Sequence, residues 1–97
     1  MLPCYLLLDL ETTGGNALQD RITEIAAVRF EAGKEVARWS TLVNPGTRIS
    51  YFIEQLTGIS NGMVADAPAF DEVGGRLLKL LDGAVLVAHN ARFDHGF

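Results

Sequence analysis

The sequence predicts an α/β fold, a mixed sheet with flanking helices, and three observations carry that expectation. From residue 4 to residue 43 the apolar residues run in short blocks or alternate, with glycine, asparagine and proline between them, which is the pattern of strands and turns. Residues 68–82 instead carry apolar side chains at helical spacing. Ala84 to Ala88 is again short and wholly apolar, a strand reached through a helix and therefore free to lie parallel to the first.

The first strand is Tyr5-Leu6-Leu7-Leu8, running into Asp9-Leu10-Glu11-Thr12-Thr13-Gly14. Side chains two apart on a strand share a face, about 6.6–6.8 Å apart, so Asp9 and Glu11 present two carboxylates side by side where the strand gives way to a loop. Two carboxylates on one rigid edge repel unless a cation lies between them, and hard divalent ions prefer oxygen ligands of this kind. A Walker B acid also follows four apolar residues, but that motif needs a glycine-rich loop ending in Gly-Lys-Ser/Thr, and the sequence has none. The bland competitor is a solvated strand end.

Thr12 to Asp20 is a polar turn. Ile22 to Phe30 follows as a second strand, with Ile22, Glu24, Ala26, Val28 and Phe30 on one face. Glu31-Ala32-Gly33-Lys34 is a turn, and Glu35 to Val43 a third strand closed by Asn44-Pro45-Gly46. The simplest connection of these three is an antiparallel meander. Ser50 to Leu56 is expected to form one or two helical turns capped by Gly58, and Ser60 to Asp66 another short, turn-rich piece. Pro68 is expected at the first position of the main helix, whose apolar face is Phe70, Val73, Leu77, Leu80 and Leu81, and which Gly83 ends. The final strand, Ala84 to Ala88, is expected to be buried on both faces beside strand one. Parallel strands end on the same sheet edge, where ligands of open α/β sheets bind. Asp9, Glu11, His89 and Asp94 would meet there.

Composition limits the alternatives. Ninety-seven residues make one domain or part of one, and an apolar share of 48% is enough for a core. A net charge of −4 argues against a broad basic surface gripping duplex DNA, but not against an enzyme holding a few terminal nucleotides. The single cysteine, Cys4, lies in the apolar run and is expected to be a buried thiol. The N-terminus lacks a basic region and its apolar run is broken by Asp9, so neither a signal peptide nor a membrane span is expected. The expected compartment is the cytoplasm.

Asp9-Leu10-Glu11-Thr12-Thr13-Gly14 resembles the first motif of the DEDD 3′–5′ exonucleases, the DnaQ-like group that includes the proofreading epsilon subunit of bacterial DNA polymerase III. His89-Asn90-Ala91-Arg92-Phe93-Asp94 resembles the second motif. Val43-Asn44-Pro45 and Leu56-Thr57-Gly58-Ile59-Ser60 resemble the signatures between them. The resemblance covers the whole chain in the right order, and a third motif is absent from it. It implies an RNase H-like fold, truncated at the C-terminus, with residues 1–97 as the N-terminal part of one exonuclease domain. It also implies metal-dependent release of nucleoside monophosphates from the 3′ end of single-stranded nucleic acid, DNA ahead of RNA, with a polymerase subunit as a partner class.

Two divalent ions, Mg²⁺ or Mn²⁺, would be held by Asp9, Glu11 and Asp94. Leu10, Thr12, Thr13, Leu56, His89 and Phe93 would line the substrate. Several of these positions carry two readings. His89 either orients Asp94 or meets phosphate, or it is a polar cap at the strand end. Phe93 packs in the core or stacks on a base. Leu56 lines the terminal-base pocket or is anchored inward at an ordinary helix stop. His95, directly after Asp94, points about 100° away on a helix and is a bystander. Gly15 and Ser50 depart from the family, where a bulky apolar residue and a proline are frequent. In the histidine-type branch, which the Thr-Thr-Gly and Leu-Thr-Gly-Ile-Ser segments favour over the tyrosine type, the third motif supplies a general base and a fourth carboxylate. The alternatives are an RNA-trimming exonuclease of the same fold and a noncatalytic nucleic-acid- or protein-binding fragment. By itself the chain is expected to be inactive.

Overall fold

A computed structural model describes residues 3–14 and 21–89, with the backbone alone at His89. Strand β1 spans Cys4–Thr12, β2 Ile22–Glu31 and β3 Lys34–Leu42; helices α1 (Tyr51–Thr57), α2 (Asn61–Val64) and α3 (Phe70–Leu81) follow, then β4 (Val85–His89). The sheet order is β3-β2-β1-β4, with β1–β2 and β2–β3 antiparallel and β4 parallel to β1. This is the meander plus helical crossover that the sequence predicts. One boundary differs: β1 runs on through Thr12, so Asp9 and Glu11 lie within the strand and are held by its ladder to β2.

The β2–β3 hairpin turns through Ala32 (φ 53°) and Gly33 (φ 80°). Two successive positive φ values match the twist of the flanking strands, which is why short hairpins use them. Leu6, Leu8, Ile25, Ala27 and Val43 form the main core, and Val73, Leu77, Leu80 and Leu81 of α3 pack onto it together with Leu10 and Trp39. Arg76 of α3 stands 5.2 Å from the centroid of the Trp39 ring, and Arg29 of β2 donates to the carbonyls of Leu80 and Asp82 at the end of α3 (2.6 Å each). These contacts fix α3 over one face of β1 and β2.

A second, smaller core of Ile49, Ile59 and Val64 gathers Leu42, Ile53 and Ala67. It holds α1 and α2, whose ends are capped: Ser50 Oγ accepts from Ile53 N, and Gly58, at φ 77°, donates to the Glu54 carbonyl. Asn61 ties the two pieces together, accepting from Ile49 N (2.7 Å) and donating to the Ile49 carbonyl (2.9 Å) and to Glu54 Oε2 (3.0 Å).

Four expectations are corrected. Pro68 precedes the helix instead of opening it; α3 starts at Phe70 after an Ala69 N-cap, and the Pro68 carbonyl accepts from Asn44 N. Phe70 is 45% exposed, because the first turn of α3 overhangs the sheet edge. Cys4, at the end of its strand, is half-buried. β4 is not buried on both faces: Val85, Leu86 and Val87 are 55%, 46% and 45% exposed. The reason is that α3 covers β1 and β2, while β4 is an edge strand with β1 as its one neighbour among the described residues. The face opposite α3, carrying Tyr5, Leu7, Val85 and Val87, is exposed as well.

Two outcomes follow from this packing. Leu6→Ala removes a fully buried side chain at the centre of the core and should cost about 2–5 kcal/mol in urea unfolding. The 97-residue chain alone, with its apolar open face and its edge strand, should self-associate in sedimentation velocity runs, and Val87→Lys should reduce that association.

Candidate active site

Alternation along β1 sends Leu6, Leu8 and Leu10 toward α3 and Tyr5, Leu7, Asp9 and Glu11 to the open face. The two acids therefore share one face, as the spacing predicts. The parallel pairing puts Asp9 in register with His89 of β4, and the antiparallel pairing puts it opposite Ala26 of β2. Ala26 is small and in turn lies opposite Ser40, so nothing bulky stands beside the Asp9 carboxylate on that side.

The sequence reading missed Glu24. It is the direct cross-strand partner of Glu11, and residues so paired have Cβ atoms about 4.5–5.5 Å apart. Glu24 has its carboxyl pushed above the usual carboxylate range, first by burial and then by the charges of Glu11 and Asp9. Three acids thus face the same patch of sheet. Alternation had already put Glu24 with Ala26 and Val28; the missing signal was the β1–β2 register, which a connection of residues 13–21 does not reveal.

The same rung continues to Leu42, the partner of Glu24 on β3. Leu42 packs against the smaller core that carries α1 and α2. The helical lobe is therefore anchored to the rung of Glu11 and Glu24, at the sheet edge where β1 ends. Leu56, on α1, is 47% exposed, so the inward-anchor reading fails, and Ile53 is the residue of α1 that packs inward.

Of the remaining expected substrate residues, Leu10 packs on the main core, on the side of the strand away from the acids, which leaves only its backbone for a substrate contact. Thr12 is buried, and its hydroxyl donates to the Gly14 carbonyl beyond a bulge between Glu11 and Thr12. Thr13 clasps Arg21: its N–H donates to the Arg21 carbonyl (2.8 Å) and its Oγ1 accepts from Arg21 N (3.0 Å). Gly15, Phe93, Asp94 and His95 lie outside the described residues. Among the described residues no group of three acids, histidines or cysteines is close enough to enclose a metal ion.

Among the described residues, two depressions bear on the site. The one touching Asp9 is about 270 Å³ and apolar, lined by Leu7, Leu8, Ala26, Val28 and Val87. A larger one of about 510 Å³ lies away from the acids, between Arg21, the 43–46 turn and the start of α3.

This arrangement of strands, helices and acids is the RNase H-like fold of the DEDD-type exonucleases. The exonuclease family of RNase T matches residues 6–97, and the chain belongs to that family. It is similar to the 3′-5′ exonuclease DinG of Bacillus subtilis (48% identical over 94 residues, covering 96% of this chain and 10% of that protein). It is equally similar to the PolC-type DNA polymerase III of Caldanaerobacter subterraneus (48% over 93 residues; 96% and 7%). A DNA polymerase III subunit epsilon-like protein of Rhodobacter capsulatus is 48% identical over 99 residues (96% and 14%). Among solved structures, Exonuclease X in complex with 5′ overhanging duplex DNA matches with a TM-score of 0.74 and 35% identity, covering 94% of this chain and 51% of that one. Product-bound exonuclease I, at 17% identity and a TM-score of 0.78 (92% and 22%), shares the fold. The chain thus spans about a tenth of the length of the curated relatives it matches. No helix among the described residues is long and apolar enough to cross a membrane.

The charge on Glu24 gives a pH prediction. Its folded-state pKa is raised, so the folded protein holds a proton there that the unfolded chain has released. Stability falls as pH rises from the ordinary carboxylate value of 4.5 through the raised one. Glu24→Gln should therefore raise the metal-free Tm at pH 7 by a few degrees, with a smaller gain at pH 4, in calorimetry at both pH values.

Proposed function

We propose that this chain carries the first catalytic acids of a metal-dependent 3′–5′ exonuclease domain that releases nucleoside monophosphates from DNA 3′ ends. The observation that carries the reading is the parallel β1–β4 pairing. It sets Asp9 in register with His89, five residues before Asp94, while Glu11 shares the face of Asp9. DNA is favoured over RNA because Exonuclease X is bound to DNA and the PolC-type relatives are DNA polymerases. Those relatives also make a polymerase the partner class of choice.

The donor set fits divalent ions. Asp9, Glu11 and Glu24 share one face, where burial first and then the charges of Glu11 and Asp9 hold Glu24 above its ordinary pKa, and oxygen donors of this kind suit Mg²⁺ or Mn²⁺. Asp9, Glu11 and Asp94 would hold two ions, which supply Lewis-acid activation for hydrolysis of a phosphodiester. Glu11 is fixed by the β1–β2 ladder and Asp9 by ladders on both sides, so neither acid moves far when charge develops nearby. Leu56 offers an apolar surface to the terminal base, and the clasped Thr13–Arg21 pair holds the strand exit in place.

Two measurements on the full-length protein test this. Mn²⁺ should raise its Tm, since a ligand bound by the folded state alone stabilises it, and Asp9→Ala should abolish the rise without unfolding the protein. Single-stranded DNA should be shortened from its free 3′ end and left intact when that end is blocked. Asp94→Asn should slow the reaction by about a hundredfold or more. Cleavage within a circular single strand would instead mark an endonuclease.

A further inference from the structure

The helix that presents Leu56 also exposes two aromatic rings that nothing in the site uses. Tyr51 is 75% and Phe52 69% exposed, in the first turn of α1. Phe52 and Leu56 are four apart and so neighbours on the helix surface, about 5–6 Å between Cβ atoms. Ile53 packs into the smaller core. Phe52 therefore extends the Leu56 surface toward the start of α1, Tyr51 lies about 100° further round the same turn, and Arg48, exposed, precedes that start by three residues.

The distribution of cations bears on what these rings meet. In a chain of net charge −4, Arg29 is held by Glu31 and by carbonyls of Leu80 and Asp82, Arg38 by Glu35, and Arg76 by the Trp39 ring. Among the described residues, Arg21 and Arg48 have no ion pair; Arg21 is held by Thr13 just beyond the end of β1, and Arg48 stands three residues before α1. Lys34 and Lys79, also without ion pairs among the described residues, lie at the opposite end, at the start of β3 and in the last turn of α3. Free positive charge beside exposed aromatic rings is the combination that binds single strands, the rings taking base faces and the cations the phosphates. A protein partner would use the rings equally well but would have no need of an unpaired arginine beside them.

We propose that Tyr51 and Phe52 form a stacking track for the bases upstream of the terminal nucleotide of a single-stranded DNA substrate, with Arg48 on the backbone between them. The track rests on the exonuclease reading above and adds to it the length of strand the enzyme holds. It makes processing of a longer strand depend on residues that a single nucleotide never reaches.

The test compares two substrates on the full-length protein with Mn²⁺: a single-stranded oligodeoxynucleotide of roughly 20 nucleotides, and thymidine 5′-(p-nitrophenyl phosphate), which carries one base only. The double variant Tyr51→Ala/Phe52→Ala should raise KM for the oligonucleotide about tenfold or more and leave both constants for the ester unchanged. Tyr51→Phe should behave as wild type, and Arg48→Ala should lower the slope of log KM against log salt by about 0.7. An unchanged oligonucleotide KM in the double variant, or an equal loss on both substrates, overturns the track while the exonuclease reading stands. Wild-type protein that hydrolyses neither substrate overturns both.

Discussion

The parallel pairing of β4 with β1 is the contact on which the site depends. β1 alone would place Asp9 and Glu11 on a face of sheet with a meander to one side and solvent to the other. The crossover through α3 returns the chain alongside β1 in the same direction, so that His89 comes level with Asp9 although eighty residues separate them. Parallel pairing needs a long connection, and the helix that supplies it also covers the opposite face of the sheet. One element thus buries the leucines of β1 and brings the backbone of His89 level with Asp9. The cost is visible in β4, which among the described residues is an exposed edge strand.

Charge on the open face is arranged against the stability of the metal-free fold. Like charges directly across a strand pair are destabilising, and Glu11 and Glu24 are such a pair. Asp9, two residues before Glu11, adds to the repulsion. A surface that merely needed solubility would not concentrate acids beside Leu7, Ala26 and Val28. The arrangement makes sense if a cation completes it, because the repulsion that weakens the empty face becomes attraction once the charge is matched. The rigidity comes from elsewhere: the ladder on both sides of β1, and the cation–π and carbonyl contacts that lock α3 behind it.

How much of this was legible in the sequence depended on whether the information was local. The strands, the Gly33 and Gly58 turns and the sheet order follow from alternation, turn chemistry and connection rules, and the structure bears them out. The shared face of Asp9 and Glu11 follows from a period of two residues and holds as well. What failed was relational. Pro68 is a plausible helix start locally, but its carbonyl is used by Asn44 and the helix begins two residues later. An apolar run such as Val85-Leu86-Val87 states what it can bury, not what is there to bury it. Glu24 had been put on its correct face, yet nothing in the sequence says which residue of β1 it opposes.

The two cores have different tasks, and this accounts for the position of α1. The main core stiffens the sheet under the acids. The smaller core of Ile49, Ile59 and Val64 carries a separate pair of short helices, joined to the sheet through Leu42 and to each other through Asn61. Leu42 belongs to the rung of Glu11 and Glu24, so the lobe is tied to the acids through the pairing of the three strands. A helix of seven residues has little stability of its own; α1 keeps its orientation because Ile53, half-buried, packs on the smaller core and both of its ends are capped. Neither core takes up Tyr51 or Phe52, which stand on the surface in the first turn of the helix.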